Sequence, residues 1–113
     1  MEQNKLSKEE IRDRYRKIAK DCFWEYHFSA EDIEHIFKNT EKREKQFLFE
    51  KILLNSHELL NDMKLFNQQD LQIMLNKYII PPFNKEYIHR RKNIVDYYFF
   101  NKPLEINELK WSA

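Results

Sequence analysis

Basic and aromatic residues occur together in one part of the chain, and these residue types could bind a ligand directly. The run His89-Arg90-Arg91-Lys92 follows Tyr87 and precedes several further rings. Basic side chains mixed with aromatic rings suit contacts to the phosphates and bases of a nucleic acid. On a helix, however, Arg90 and Arg91 point about 100° apart, so only part of this run can face a single ligand.

A DNA- or RNA-binding regulator is therefore one function that the sequence supports. The candidate nucleic-acid-binding residues are Arg12, Arg16, His89, Arg90, Arg91 and Lys92. Because the net charge of the chain is only +1, such a site would have to be local. Arg91 also has a structural interpretation, since it falls within the apolar arc of its helix. A buried guanidinium there should meet a carboxylate, cap backbone carbonyls or leave the core along its own stem.

The segment from Cys22 to Ser29 (CFWEYHFS) is dense in aromatic rings and lies between two helix signals. Rings such as Trp24 and Tyr26 combine an apolar body with a polar tip. We expect this linker to fold onto the core. A platform on which nucleic-acid bases stack is the functional alternative.

Catalytic chemistry has little support in the sequence. The chain contains no glycine, which disfavours phosphate-binding loops and the nucleophile elbow of hydrolases. Cys22 has no activating neighbour and is expected to be a buried structural thiol. His57, Glu58 and Asp62 have groups suited to acid–base chemistry, but we expect them to be capping and surface residues. The protein is therefore predicted not to be an enzyme.

Metal, cofactor and membrane binding are not predicted. His27, Glu31 and His35 are spaced four apart, but His27 precedes the expected helix cap at Ser29, so the three would not share one face. A single cysteine excludes an internal disulfide and fits a reducing compartment. No run reaches ~18 uninterrupted apolar residues, and the first residues lack an apolar signal core. The cytoplasm is the expected location.

The element around which the chain must fold is the most apolar stretch, residues 46–66. At about 100° per residue, its bulky side chains form one core-facing line with a flank. That core set is Leu48, Phe49, Ile52, Leu53, Leu59, Leu60, Met63 and Phe66. A second line of Phe47, Leu54 and Leu65 lies roughly opposite, so we expect other helices on two sides of this element. The polar break at residues 55–57 favours two helices, about 41–54 and 56–66, although one bent helix is the alternative.

Helix-start signals divide the rest of the chain. Capping pairs are predicted at Ser7 with Glu10, Ser29 with Asp32, and Asn67 with Asp70, and Thr40 is a further cap. Pro81-Pro82 ends one helix near Lys77, and a last helix should span about 85–100. Asparagine is expected to replace glycine at left-handed positions, at Asn39, Asn55, Asn67, Asn84 and Asn101. The predicted fold is all-α, a single compact domain of five or six short helices.

Residues 1–6 are expected to be frayed. Residues 101–113 are expected to form a docking tail. The tail is predicted to be extended or short-helical, and its apolar residues are Leu104, Ile106, Leu109 and Trp111. It is too short to build a core of its own, so it should dock on this chain or on another. The leading functional hypothesis is therefore a non-enzymatic protein-binding module. Its partner would be another protein or a second copy of itself.

Three stretches together resemble a family of small helical bacterial domains. They are CFWEYHFSAEDI, FLFEKILLNSHELLNDMKLF and RRKNIVDYYFF, within about residues 22–100. The aromatic Phe-Trp-acid start and the centre Glu50-Lys51-Ile52-Leu53 carry the resemblance, whereas Asn55 stands where such domains have glycine. These domains are often encoded beside nucleotidyltransferase toxins of the abortive-infection type. The resemblance implies an antitoxin-like or regulatory role with a toxin as partner, and it assigns no catalytic residue.

Overall fold

A computed structural model describes residues 7–38 and 41–104. Within these ranges the chain forms six α-helices and no strand. The helices are α1 (Lys8–Cys22), α2 (Ala30–Lys38), α3 (Lys42–Asn55), α4 (Leu59–Met63), α5 (Gln68–Lys77) and α6 (Lys85–Phe100). The predicted all-α fold is confirmed. None of these helices has the length and apolar character needed to cross a membrane.

Side-chain caps start the helices largely where the sequence predicts. Before α1, the Ser7 N–H donates to Glu10 Oε1 (2.9 Å) and the Glu10 N–H donates to Ser7 Oγ (3.1 Å). Ser29 and Asp32 make the same reciprocal pair before α2. Asn67 accepts from the first N–H groups of α5. Each cap satisfies backbone donors that have no partner within the helix.

Of the five asparagines that the sequence singles out, the structure describes four, and two of these have a left-handed backbone. Asn84 precedes α6 with φ 51°, and Asn101 follows it with φ 57°. Asn55 is instead the last residue of α3, and Asn67 has an ordinary φ of −59°, so the prediction is wrong for both. Asn39 lies outside the described residues, as do residues 1–6, which we expect to be frayed, and the tail beyond Leu104. The predicted cap at Thr40 is wrong, because α3 begins at Lys42 and the Glu41 side chain accepts from the Arg43 N–H (3.4 Å).

Helix α3 is the centre of the molecule, because it contacts α1, α2, α4 and α6. Its residues Leu48, Phe49, Ile52 and Leu53 are buried. The prediction of two consecutive helices is confirmed, but the second is shorter than expected. Helix α4 begins only at Leu59, since residues 56–58 form a polar connection between the two.

A chain of aromatic rings crosses the core and links the helices. Tyr15 on α1 stacks on Phe37 of α2 (5.5 Å between ring centroids), and Phe37 packs against Phe66 after α4 (4.8 Å). Phe66 contacts Phe49 of α3 (6.3 Å), which contacts Tyr78 at the end of α5 (6.1 Å). Ring pairs at such separations contribute beyond their area burial. All six described helices contribute buried residues to one core.

One residue of the second apolar line, Phe47, packs against rings that follow α1. Phe47 packs against Phe23 (5.7 Å between ring centroids) and Tyr26 (5.8 Å) and keeps an exposed edge. Leu54 and Leu65 are half-buried against the core. The ring-dense linker thus folds onto the core as predicted, with Phe23 fully buried. Trp24 is the exception, and its side chain projects into solvent.

Candidate functional site

Arg91 lies at the end of α3 and donates to its terminal carbonyls. Its Nη2 donates to Ser56 O (2.7 Å) and to Ile52 O (3.4 Å), and its Nε donates to Leu53 O. The guanidinium also lies over the ring of Tyr87, 5.4 Å from the centroid. The last carbonyls of a helix have no partner within it, and a cation there is favoured by the helix dipole. Arg91 therefore fulfils one of the three structural roles that the sequence predicts.

The other candidate nucleic-acid-binding residues are divided between α1 and α6. Arg12 pairs with Glu31, and Arg16 pairs with Asp13. On α6, Lys92 Nζ lies 3.0 Å from Asp96 Oδ2. His89 is half-buried and Arg90 is exposed. Because the donors of Arg91 are directed into the protein, that residue is not available for phosphate in this arrangement.

A polar junction joins α1 to the connection between α3 and α4. The buried Asp62 accepts a hydrogen bond from Ser56 Oγ, and Arg14 Nη1 lies 3.7 Å from Asp62 Oδ1. Burial raises the pKa of Asp62, while the hydrogen bond from Ser56 and the charge of Arg14 oppose that rise. Asp62 is thus more deeply buried than the sequence predicts, and its contacts are those of a structural group.

Glu58 and His57, the other two residues considered for acid–base chemistry, lie at the rim of this junction. Glu58 Oε1 is 2.6 Å from Arg14 Nη1, and that hydrogen bond is the main cause of a lowered pKa for Glu58. His57 is exposed, with its Nδ1 3.5 Å from Asp21 Oδ2. The junction therefore does not enclose His57 and Asp62 in one pocket. Its charges hold α1 against the α3–α4 connection.

Cys22 is buried beneath the same junction. Burial, with the nearby carboxylates of Asp62 and Asp21, raises the pKa of the Cys22 thiol to about 12. A thiol with such a pKa carries almost no thiolate at neutral pH, so it is a poor nucleophile. The expectation of a buried structural thiol is confirmed. Across residues 7–38 and 41–104, no three His, Cys, Asp or Glu side chains are placed to hold a metal.

The predicted partner-binding tail is described only at its first residues. Leu104 is half-buried, and Asn93 Nδ2 on α6 donates to Pro103 O (3.1 Å). This bond fixes the start of the tail against α6. Ile106, Leu109 and Trp111 lie outside the described residues.

An exposed apolar surface lies between α5 and α6. We call it the α5–α6 corner and define it by Ile79, Phe83 and Tyr87. Ile79 is 85% exposed and Phe83 is 62% exposed, while Tyr87 is about half exposed. The Tyr87 hydroxyl donates to Leu54 O (3.3 Å), which fixes that ring against α3. Four residues of extended chain span at most ~14 Å, so Ile79 and Phe83 lie within that distance of each other.

No family model, curated protein or solved structure matches this chain. Its function has to be inferred from its own residues and their arrangement. The α5–α6 corner was missed in the sequence, although one signal pointed to it. Pro81-Pro82 imposes extended backbone, and neighbours such as Ile79 and Ile80 then point in opposite directions. One of the two must face away from the core, and it is Ile79.

Proposed function

We propose that this protein is a non-enzymatic, cytoplasmic protein-binding module that docks through the α5–α6 corner. The observation that carries the proposal is the exposure of Ile79 and Phe83, 85% and 62%, on an ordered connection. Single exposed apolar residues are common on protein surfaces. Two such residues within a segment of five, followed four residues later by the half-exposed ring of Tyr87, exceed that norm for one short stretch of chain.

The backbone of the corner is restrained before any partner binds. Proline fixes φ, and Pro81 and Pro82 lie between Ile79 and Phe83. A restrained segment loses less conformational entropy on binding than a flexible loop does. Phe83 and Tyr87 supply aromatic side chains, the type that often carries most of the binding free energy. The corner therefore combines apolar anchors with a low ordering cost.

The charges around the corner indicate the chemistry of the partner. In sequence, residues 77–90 contain the basic Lys77, Lys85 and Arg90 and one acidic residue, Glu86. A partner with an apolar pocket rimmed by Asp and Glu would complement this surface. A symmetric interface with a second copy of this chain would bring two segments of net positive charge together. We therefore infer a different protein as partner.

The family resemblance suggests which protein to test first, a nucleotidyltransferase toxin encoded by a neighbouring gene. The contacts of the side chains that could act in catalysis also support a non-enzymatic role. Asp62, Glu58 and Arg91 each bind a neighbouring structural element, and Cys22 is held as a buried thiol. A free thiol suits the reducing cytoplasm.

Co-expression with the neighbouring gene product, followed by affinity purification and titration, tests the proposal. The test variant is Ile79→Ser/Phe83→Ser, which removes apolar surface without opening the core. The matched control is Ile73→Ser on α5, because Ile73 is also apolar and 50% exposed. We expect the corner variant to weaken the complex about tenfold or more and the control to change it by less than about twofold.

A variant with Leu109→Ser and Trp111→Ser addresses the tail surface that the sequence predicts. Loss of the complex in this variant alone would contradict docking through the α5–α6 corner and would support protein binding through the tail. Absence of any complex with the wild-type chain would contradict the proposed function. Concentration-dependent dimerisation that the corner variant abolishes would show that the partner is a second copy, against the charge argument.

A further inference from the structure

A second surface lies where α1 ends and α2 begins. We call it the α1–α2 groove, and its volume is about 390 Å³. Arg16 and Lys20 line it from α1, and Trp24, His27 and Phe28 line it from the linker. It is separate in sequence from the α5–α6 corner, so an activity here goes beyond the proposed function.

Helical spacing and the turn after α1 bring these side chains together. Arg16 and Lys20 are four residues apart and share one face of α1. The chain then turns, with the Tyr26 N–H donating to Phe23 O (2.9 Å), and Trp24 is left 69% exposed. His27 has a left-handed backbone, φ 56°, just before the cap of α2. Positive φ is uncommon for residues other than glycine.

Several groups in the groove have unused binding capacity. The side chains of Lys20, Trp24 and His27 make no hydrogen bond or ion pair with another described residue. Arg16 pairs with Asp13, but both side chains are more than half exposed, and such pairs contribute little to stability. The guanidinium can therefore exchange this partner for a phosphate at low cost.

The groove also differs in charge from other cavities of the protein. Its lining has two permanent cations and no carboxylate. The cavity beside Tyr15 includes Glu34, and the cavity beside Lys102 includes Asp96. For a chain with net charge +1, this is a local concentration of positive charge. It favours an anionic ligand.

We propose that the α1–α2 groove binds one nucleotide unit of a single-stranded nucleic acid. The phosphate lies between Arg16 and Lys20, and the base stacks on the exposed indole of Trp24. Asp32 accepts from Ser29 at the α2 end of the groove and places negative charge there. The phosphate is therefore held at the α1 end, and the base extends towards the linker.

Fluorescence anisotropy with a labelled ten-nucleotide uridine strand tests this site in the full chain. One phosphate held by the two cations predicts a slope of about −0.7 for log K against log salt, or about a 2.6-fold loss of affinity between 50 and 200 mM salt. Lys20→Ala should weaken binding and make that slope shallower. The matched control, Lys17→Ala, removes the same charge from α1 at a residue that faces Glu58 instead. It should leave the slope unchanged.

Trp24 is tested separately, because stacking does not depend on charge. Trp24→Ala should weaken binding about tenfold at every salt concentration, and Trp24→Phe should recover part of the loss. In a Trp111→Phe background, addition of the strand should quench Trp24 fluorescence. Circular dichroism of each variant should match the wild type, since Lys20 and Trp24 are both exposed.

A deoxythymidine strand and free AMP distinguish the sources of the nucleotide unit. The proposal expects both strands to bind and AMP to bind more weakly than either. AMP that binds as tightly as a strand would overturn the assignment to a single-stranded nucleic acid. Affinity that is independent of salt, equal losses for Lys17→Ala and Lys20→Ala, or no change in Trp24 fluorescence would overturn the site.

Discussion

Arg91 connects α6 to α3 through backbone acceptors alone. Its three donor contacts end on Ile52, Leu53 and Ser56, where α3 stops. The apolar arc of α6 predicted a structural role for this residue, whereas the basic run predicted a nucleic-acid contact. The sequence around Arg91 could not decide between the two roles, because the backbone carbonyls that accept its hydrogen bonds lie more than thirty residues away in the chain.

Arg91→Met keeps the aliphatic stem and removes the donors, so it isolates the capping role. The carbonyls of Leu53 and Ser56 would lose a charged donor, and we expect the free energy of unfolding to fall by about 2–3 kcal/mol. Urea denaturation followed by circular dichroism measures this. Arg90→Met, at the exposed neighbour, should change stability by no more than about 0.5 kcal/mol. Equal losses for the two variants would show that Arg91 acts only as a charge.

Helix ends explain how a chain without glycine turns between its elements. The starts of α1, α2 and α5 could be predicted because their capping hydrogen bonds join residues two or three apart in sequence. The start of α4 could not, since Ser56 is bound both to the Glu58 N–H (3.0 Å) and to the buried Asp62. That arrangement needs α1, which brings Arg14 to the junction. Asparagine replaces glycine after α6, at Asn101, with its N–H donating to Tyr97 O (3.0 Å).

Asn101 has a left-handed backbone, whereas Asn55 is helical. We therefore expect alanine and glycine substitutions to rank in opposite orders of stability at these two positions. In a left-handed backbone the short polar side chain of asparagine can hydrogen-bond locally and offset part of the cost of its Cβ atom, which alanine cannot do, so Asn101→Ala should lower the free energy of unfolding by about 1 kcal/mol. Asn101→Gly should be neutral or slightly stabilising. At Asn55, inside the last turn of α3, alanine should instead be more stable than glycine by about 1 kcal/mol. Thermal unfolding of the four variants gives the ranking, and the same order at both positions would contradict the left-handed assignment.

The whole molecule is held together by the central pair and by the ring chain that crosses it. The sequence located the central apolar element because helical periodicity is a local signal. It did not reveal the path Tyr15–Phe37–Phe66–Phe49–Tyr78, since ring contacts depend on how helices from distant parts of the chain pack. The exposed corner was missed for the same reason. For the α1–α2 groove, the sequence indicated the ring-dense linker and Arg16 separately, but not that they line one cavity. A surface is what remains after the helices have packed.

Phe66 lies in the middle of the ring chain, so its removal tests whether the described helices unfold as one unit. Phe66→Ala should lower the free energy of unfolding by about 3–5 kcal/mol, because loss of the ring leaves a cavity between Phe37 of α2 and Phe49 of α3. Phe47→Ala, at the partly exposed edge of the same core, should cost distinctly less. In both variants, far-UV circular dichroism, which reports the helices, and near-UV circular dichroism, which reports the rings, should give coincident transitions. Separate transitions, or equal costs for Phe47 and Phe66, would mean that the ring chain does not couple the helices into a single cooperative domain.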